Sequence, residues 1–268
     1  MIFASDLDRT LVYSKRALDE LGIPEGMCLK PVEKKDGRWV AYMTESSFST
    51  LKELIRHSVF IPVTTRTTEQ FNRFTIFTED FQLKYAITTN GATILHQGEQ
   101  LEEWSKHIFQ KLAMDSASLE ELLAVVQREG YHFEGQLKQV ENLFFYYILD
   151  SFPDSFAKSE LNELAAKYGW RISLQGKKLY FMPMAIRKGA ALEYICQREG
   201  MKAIAGAGDS LLDLDFLDIC QYRFVPNHGE VACVSKKTGL TLTTNSGALA
   251  GEEILHQFLK RCFTLISE

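Results

Sequence analysis

Five short apolar runs, each ending in small or polar residues, constrain the fold of this chain more than any other feature. Ile2-Phe3-Ala4 runs into Ser5-Asp6, Val59-Phe60-Ile61-Pro62-Val63 into Thr64-Thr65-Arg66, and Tyr85-Ala86-Ile87 into Thr88-Thr89-Asn90-Gly91. Lys202-Ala203-Ile204-Ala205 runs into Gly206-Ala207-Gly208-Asp209, and Tyr222-Arg223-Phe224-Val225 into Pro226-Asn227. Runs this short and continuous suit strands buried on both faces, as in a parallel sheet. Amphipathic stretches at 49–57, 68–77 and 188–198 lie between them. Strand then helix, repeated, predicts an α/β fold with a doubly wound parallel sheet.

Two regions break that rhythm. Residues 26–45 carry Lys34-Lys35-Asp36-Gly37-Arg38 between more apolar flanks, and the Asp-Gly pair predicts a hairpin, hence a flap. Between 90 and 184 the pattern becomes helix (119–128), strand (142–149), helix (155–168) and strands (170–174, 178–182). That is an α+β module of its own. The expected domains are a core of residues 1–89 and 185–268 and an insert of residues 90–184.

A chain of 268 residues is long enough for such a core with an inserted module. Its 46% hydrophobic and 24% charged residues are those of an ordinary soluble globular protein. The formal net charge of −5 offers no basic surplus for nucleic acid, so an anionic ligand would need locally placed cations. The cysteines (Cys28, Cys196, Cys220, Cys233, Cys262) are odd in number and show no C-x-x-C spacing. Neither a zinc site nor a disulfide framework is expected, and the default is a reducing compartment. Met1 to Ser5 has no basic n-region, so no signal peptide is expected. No apolar run reaches about 18 residues, so no membrane span is expected either. The reading is a cytoplasmic protein of undetermined oligomeric state.

Four places carry chemistry. Asp6-Leu7-Asp8-Arg9-Thr10 directly follows the first apolar run. Ligands of open α/β sheets bind beyond the carboxyl ends of the strands. Two carboxylates there could divide nucleophilic and proton-transfer work, although a solvated acidic turn also fits. Thr64 or Thr65, at another strand end, could meet phosphate oxygens or cap a helix. Arg66 is read as a surface or structural residue. Lys188 opens a predicted helix, where a cation opposes the macrodipole; it could pair with phosphate or carboxylate, or be solvated. Asp209 and Asp213, four apart at a strand-to-helix turn, would share a face of the first helical turn and offer hard oxygen ligands suited to Mg2+.

Together, in this order, the four places resemble the haloacid dehalogenase-like phosphatase superfamily. Asp6 and Asp8 match its D-x-D-x-T motif, Thr64 its second, Lys188 its third, and Asp209 with Asp213 its acidic fourth. The insert lies where that family places its C2 (type IIB) cap. Thr88-Thr89-Asn90-Gly91-Ala92 looks like the segment before such caps. The sequence looks most like the sucrose-phosphate-phosphatase-like and Cof-like branches. Arg9 departs from a common glycine, Thr65 from the glycine of Thr-Gly-Arg, and Leu212 from an asparagine.

The resemblance implies a Mg2+-dependent phosphohydrolase of a small phosphomonoester, with a sugar phosphate as one candidate. Asp6 would form an aspartyl phosphate, Asp8 would serve as acid and base, and Thr64 and Lys188 would complete the catalytic set. Mg2+ would be held by Asp6, the backbone carbonyl of Asp8, and Asp209, with Asp213 orienting the metal shell. Thr64, Thr65, Asn90 and Lys188 would contact the substrate. Dehalogenases and transport ATPases lack a carboxylate at the Asp8 position, which sets this chain apart from both. A phosphomutase on the same fold and a non-catalytic phospholigand-binding module are the alternatives. The implied partner is a small phosphorylated metabolite, not nucleic acid or a membrane. The insert is expected to cap the carboxyl edge of the core sheet. Phe144 to Tyr147 are read as strand core, and no histidine is assigned a role.

Overall fold

The structure, a computed structural model, describes residues 1–151, 158–234 and 238–267. The chain divides into two compact units, Met1–Leu101 with Lys188–Glu268, and Glu102–Arg187.

The first unit is built on a five-stranded sheet in the order Thr241–Leu242, Tyr222–Val225, Ala203–Ala207, Ile2–Ser5, Val59–Pro62. Every pairing in it is parallel. Ile2–Ser5 and Ala203–Ala207 are buried at every position, which is why their sequences run apolar without alternation. Leu51 and Leu54 of the Glu45–His57 helix join Ile254, Leu255 and Phe258 of the Ala248–Ser267 helix. They pack with Phe3, Phe60 and Phe224 of the sheet. The Lys188–Glu199 helix buries Ala191, Leu192 and Ile195.

Local chemistry sets several boundaries. The Glu45–His57 helix starts earlier than its apolar spacing predicts because the Thr44 hydroxyl accepts from the Ser47 N–H. The helix expected over 68–77 stops at Phe71, despite a full capping box from Thr67 and Gln70. Phe71, Phe74 and Phe77 then pack ring against ring, and the chain resumes as a π-helical turn, Ile76–Asp80. Here tertiary packing overrides helical periodicity.

The flap is a hairpin of Leu29–Lys35 and Arg38–Thr44, closed by Asp36 and Gly37 with φ of 49° and 75°. Two consecutive left-handed residues give the turn its twist, and Asp-Gly supplies them at low cost. Tyr85–Thr88 does not continue the parallel sheet as a full strand. One bridge, Val63 to Ile87, joins it to that sheet, and it pairs antiparallel with Thr93–His96. This fold-back buries Ile94 and Leu95 with the first unit. The units therefore divide at Leu101/Glu102 and Arg187/Lys188, against the 89/90 and 184/185 boundaries given above.

The second unit is a four-stranded antiparallel sheet in the order Trp170–Gln175, Lys178–Pro183, Phe144–Leu149, Gly135–Val140, with helices Glu102–Asp115, Leu119–Arg128 and Lys158–Ala166. Residues 155–157 of the helix expected over 155–168 lie outside the described residues. Phe144, Phe145 and Tyr147 are buried, and Phe145 stacks on Phe181 at 4.7 Å, so these rings are strand core. Among the described residues, no helix is long and apolar enough to cross a membrane.

Candidate active site

Asp6 continues the sheet one residue past its strand, its N–H donating to Ala207 O at 2.8 Å. The chain then turns on Leu7, whose carbonyl accepts from the N–H groups of Thr10, Leu11 and Val12. The turn puts Arg9 at φ 62°, in the left-handed region that favours glycine. His228 supports it: Nδ1 accepts from the Gly247 N–H at 3.1 Å, so Nε2 carries the hydrogen and donates to Arg9 O at 2.9 Å. Burial lowers the His228 pKa and keeps the ring neutral for that bond. The Asp6 carboxyl is thus buried between the end of its own strand and the end of Ala203–Ala207.

Lys188 opens its helix with its side chain buried, not solvated. Nζ donates to Asp6 Oδ1 at 2.7 Å and Asp213 Oδ1 at 2.6 Å. The helix start is held in place by Gly189, whose N–H donates to Asp215 Oδ2 at 3.0 Å. Asp215, just beyond the Asp209–Asp213 loop, therefore holds the start of the Lys188 helix. Burial alone would lower the lysine pKa, but Asp213 and Asp6 raise it above the usual lysine range. Burial pushes Asp6 up to about 7; Lys188 opposes this, while Asp213 and Asp8 add to it.

Gly208 lets the next loop come close, since a Cβ there would lie 2.4 Å from Asp213 Cβ. Asp213 Oδ2 accepts from the Ser210 N–H and hydroxyl, both at 2.9 Å. Asp209 precedes the Leu211–Asp213 3-10 turn, so the two aspartates converge through a loop and not along a shared helix face. Carboxylate oxygens of Asp6, Asp209 and Asp213 lie within 4.8 Å of one another. Burial, then the charges of Asp6 and Asp213, hold Asp209 well above the usual carboxylate range. Three carboxylates against one ammonium leave negative charge in excess, and an all-oxygen donor set suits a hard cation such as Mg2+. Both Asp213 oxygens already accept hydrogen bonds. Asp209, and Asp6 Oδ2 with its 3.4 Å bond from Thr10 Oγ1, are better placed to hold a cation directly.

Thr64 and Thr65 lie in the loop after Val59–Pro62, and Asn90 in the 3-10 turn after Tyr85–Thr88. Thr64 donates its N–H to Ile87 O at 2.9 Å and accepts on its carbonyl from the Asn90 N–H at 3.0 Å. Its hydroxyl accepts from the Arg66 N–H at 3.1 Å, a turn-capping bond. Thr65 is partly exposed in the same bend. Thr89 and Asn90 are consecutive left-handed residues, and Asn90 is buried.

Arg66, read above as a surface or structural residue, is structural: its side chain is mostly buried and pairs with two carboxylates. It forks Asp8, Nε to Oδ2 at 2.7 Å and Nη2 to Oδ1 at 2.6 Å. Nη1 donates to the buried Glu33 at 2.6 Å, and the guanidinium lies 4.5 Å from the Phe74 ring centroid. A cation two residues beyond Thr64 in a strand-end loop was the available signal for Arg66. Glu33 left none, because it comes from the flap.

No protein-family model and no curated protein sequence matches the chain. Solved structures do. The sucrose-phosphatase of Synechocystis sp. PCC6803, determined with sucrose and phosphate, is 17% identical, with 96% of this chain and 97% of that one covered and a TM-score of 0.69. A trehalose-6-phosphate phosphatase related protein is 15% identical over the whole of both chains, with a TM-score of 0.56. A haloacid dehalogenase-like hydrolase of Bacillus subtilis is 12% identical, covering 96% of this chain and 90% of that one, with a TM-score of 0.51. At such identities the likeness speaks to the fold. The fold is α/β, a parallel sheet flanked by helices with antiparallel sheets added. It is the haloacid dehalogenase-like fold that the motif resemblance leads one to expect.

Proposed function

We propose that the protein is a Mg2+-dependent phosphohydrolase that releases phosphate from a small phosphomonoester through an aspartyl phosphate on Asp6. The observation that carries this reading is the buried Lys188, bonded to Asp6 and Asp213, with Asp209 beside them. Mg2+ would be held by Asp6, the backbone carbonyl of Asp8, and Asp209, with Asp213 reached through water. When bound it supplies positive charge to the oxygens of the transferring group. Lys188 adds to that charge, so an anionic carboxylate can approach an anionic phosphate.

The Asp6 carboxylate attacks phosphorus as the bond to the leaving oxygen breaks, and Asp8 gives that oxygen a proton. Asp8 then takes a proton from water. The water oxygen attacks phosphorus, the bond to Asp6 breaks, and phosphate leaves. Thr64 and the 64–66 loop hold the phosphoryl oxygens, since such transfers depend mainly on positioning and charge. Thr65, Asn90 and Lys188 complete the proposed substrate contacts. The likeness to a sucrose-phosphatase and a trehalose-6-phosphate phosphatase related protein supports sugar phosphates as the first class to try.

The test is phosphate release from sugar phosphates, nucleotides and acetyl phosphate, with Mg2+ and after EDTA treatment, against an Asp6→Asn control. Asp6→Asn should lose at least about a thousandfold, as loss of a covalent nucleophile does. Release that persists undiminished in EDTA or in Asp6→Asn would sink the reading.

A further inference from the structure

We infer that Glu33, on the flap hairpin, is a positioning residue for Asp8 that acts through Arg66. The inference rests on the phosphohydrolase reading above, with Asp8 as acid and base. Glu33 is a buried acid in an otherwise basic strand, Leu29–Lys35. The hairpin register shifts on both sides of it, between Pro31 and Glu33 and between Glu33 and Lys34. Such irregularities re-aim a side chain.

The backbone around Glu33 is fastened to the following core segment. Glu33 bridges Phe74, the Lys34 N–H donates to Arg73 O at 3.0 Å, and the Thr75 hydroxyl donates to Val32 O at 3.3 Å. Its carboxylate is thereby fixed on Arg66 Nη1. Phe74 covers the guanidinium face. With that nitrogen and that face taken, Nε and Nη2 remain as a fork of set direction, and Asp8 fills it.

The two carboxylates differ in freedom. The Asp8 side chain is 44% exposed and that of Glu33 5%. To meet a leaving oxygen or a water, Asp8 must let go of Arg66. A guanidinium left buried without a counter-charge is costly. Glu33 supplies that counter-charge, so Asp8 can leave Arg66 and return to the same place. Without the Glu33 charge, Arg66 grips Asp8 more firmly, and each turnover has to break that grip.

Glu33→Gln keeps the shape and one acceptor. With a hexose or alkyl phosphate it should lower kcat roughly ten- to hundredfold, on the scale of acid–base catalysis, while KM changes by less than about twofold. The loss should vanish in an Asp8→Asn background, because Glu33 then has nothing to act through. Equal losses in both backgrounds, or a raised KM with kcat intact, overturn the inference. Arg66→Lys, which keeps the charge but loses the fork, is the second variant and should show the same dependence on Asp8. A readout independent of turnover is the Arg66 Nε–H resonance in 15N NMR, assigned by its loss in Arg66→Lys. It should shift or broaden in Glu33→Ala. An unchanged resonance overturns the inference even if no phosphoester is cleaved, so it and the phosphohydrolase reading fail separately.

Discussion

Lys188 is held in the interior by charge, with Asp6 and Asp213 as its acceptors. Lys188→Met would fill similar space but leave two buried carboxylates facing each other. Activity should fall about 10²–10³-fold, the scale for losing one aimed charge donor. Thermal unfolding should show a destabilisation of roughly 3–5 kcal/mol, as for half a buried pair. Near-normal turnover would remove Lys188 from the mechanism. Asp6 carries a second residue-scale prediction. Its pKa rises from 3.8 in the unfolded chain to about 7 when folded, so the metal-free fold binds that proton more tightly. The resulting stability is fully present below the unfolded value and is lost as pH climbs through about 7. Metal-free Tm should therefore be lower at pH 8 than at pH 5. Mg2+ should raise Tm more at pH 8, where Asp6 is ionised to receive it. Calorimetry with and without EDTA checks this, and an equal Mg2+ shift at both pH values would contradict it. The placing of Asp6, Asp8, Lys188 and Asp209 near strand ends or a helix start was legible because the local pattern marks those places. The Asp8–Arg66–Glu33 chain of ion pairs was not legible, since the partners of Arg66 lie 58 and 33 residues from it along the chain.

At the scale of elements, the loop after Ala203–Ala207 depends on close approach. Gly208→Ala would place a methyl 2.4 Å from Asp213 Cβ and 2.8 Å from its Oδ2. The backbone there must shift, at a cost of about 1–3 kcal/mol. The shift would disturb the carboxylate that holds Lys188, so activity should fall more steeply than stability. Comparing denaturant midpoints with phosphate release decides this; a stable, fully active Gly208→Ala protein would show that the loop tolerates the bulk. Strand runs and the Asp36-Gly37 turn were readable because their signals are local, a covered strand and a two-residue left-handed turn. The Gly135–Val140 strand was not, because GQLKQV has no alternation and five of its six residues are exposed. The break after Phe71 was not either, because stacking of phenylalanines decides it.

At the scale of the molecule, every proposed catalytic group lies in the Met1–Leu101 and Lys188–Glu268 unit. The Glu102–Arg187 unit supplies none of them, and we propose that it contributes substrate selectivity. Replacing it by a short linker should hurt sugar phosphates much more than acetyl phosphate, once circular dichroism and a cooperative melt show that the core folds. A folded core with the parent's full preference among phosphomonoesters would place specificity elsewhere, with the flap next. The sequence by itself determined the strand-and-helix alternation, the inserted module and the four motif positions, because hydrophobic period and strand-end polarity are properties of neighbouring residues. Only the tertiary structure decided that Lys188 is buried between Asp6 and Asp213, that residues 90–101 fold back with the core, and that Glu33 reaches Asp8 through Arg66. Those outcomes depend on which distant surfaces meet and which charges lose water together, and no local pattern records either.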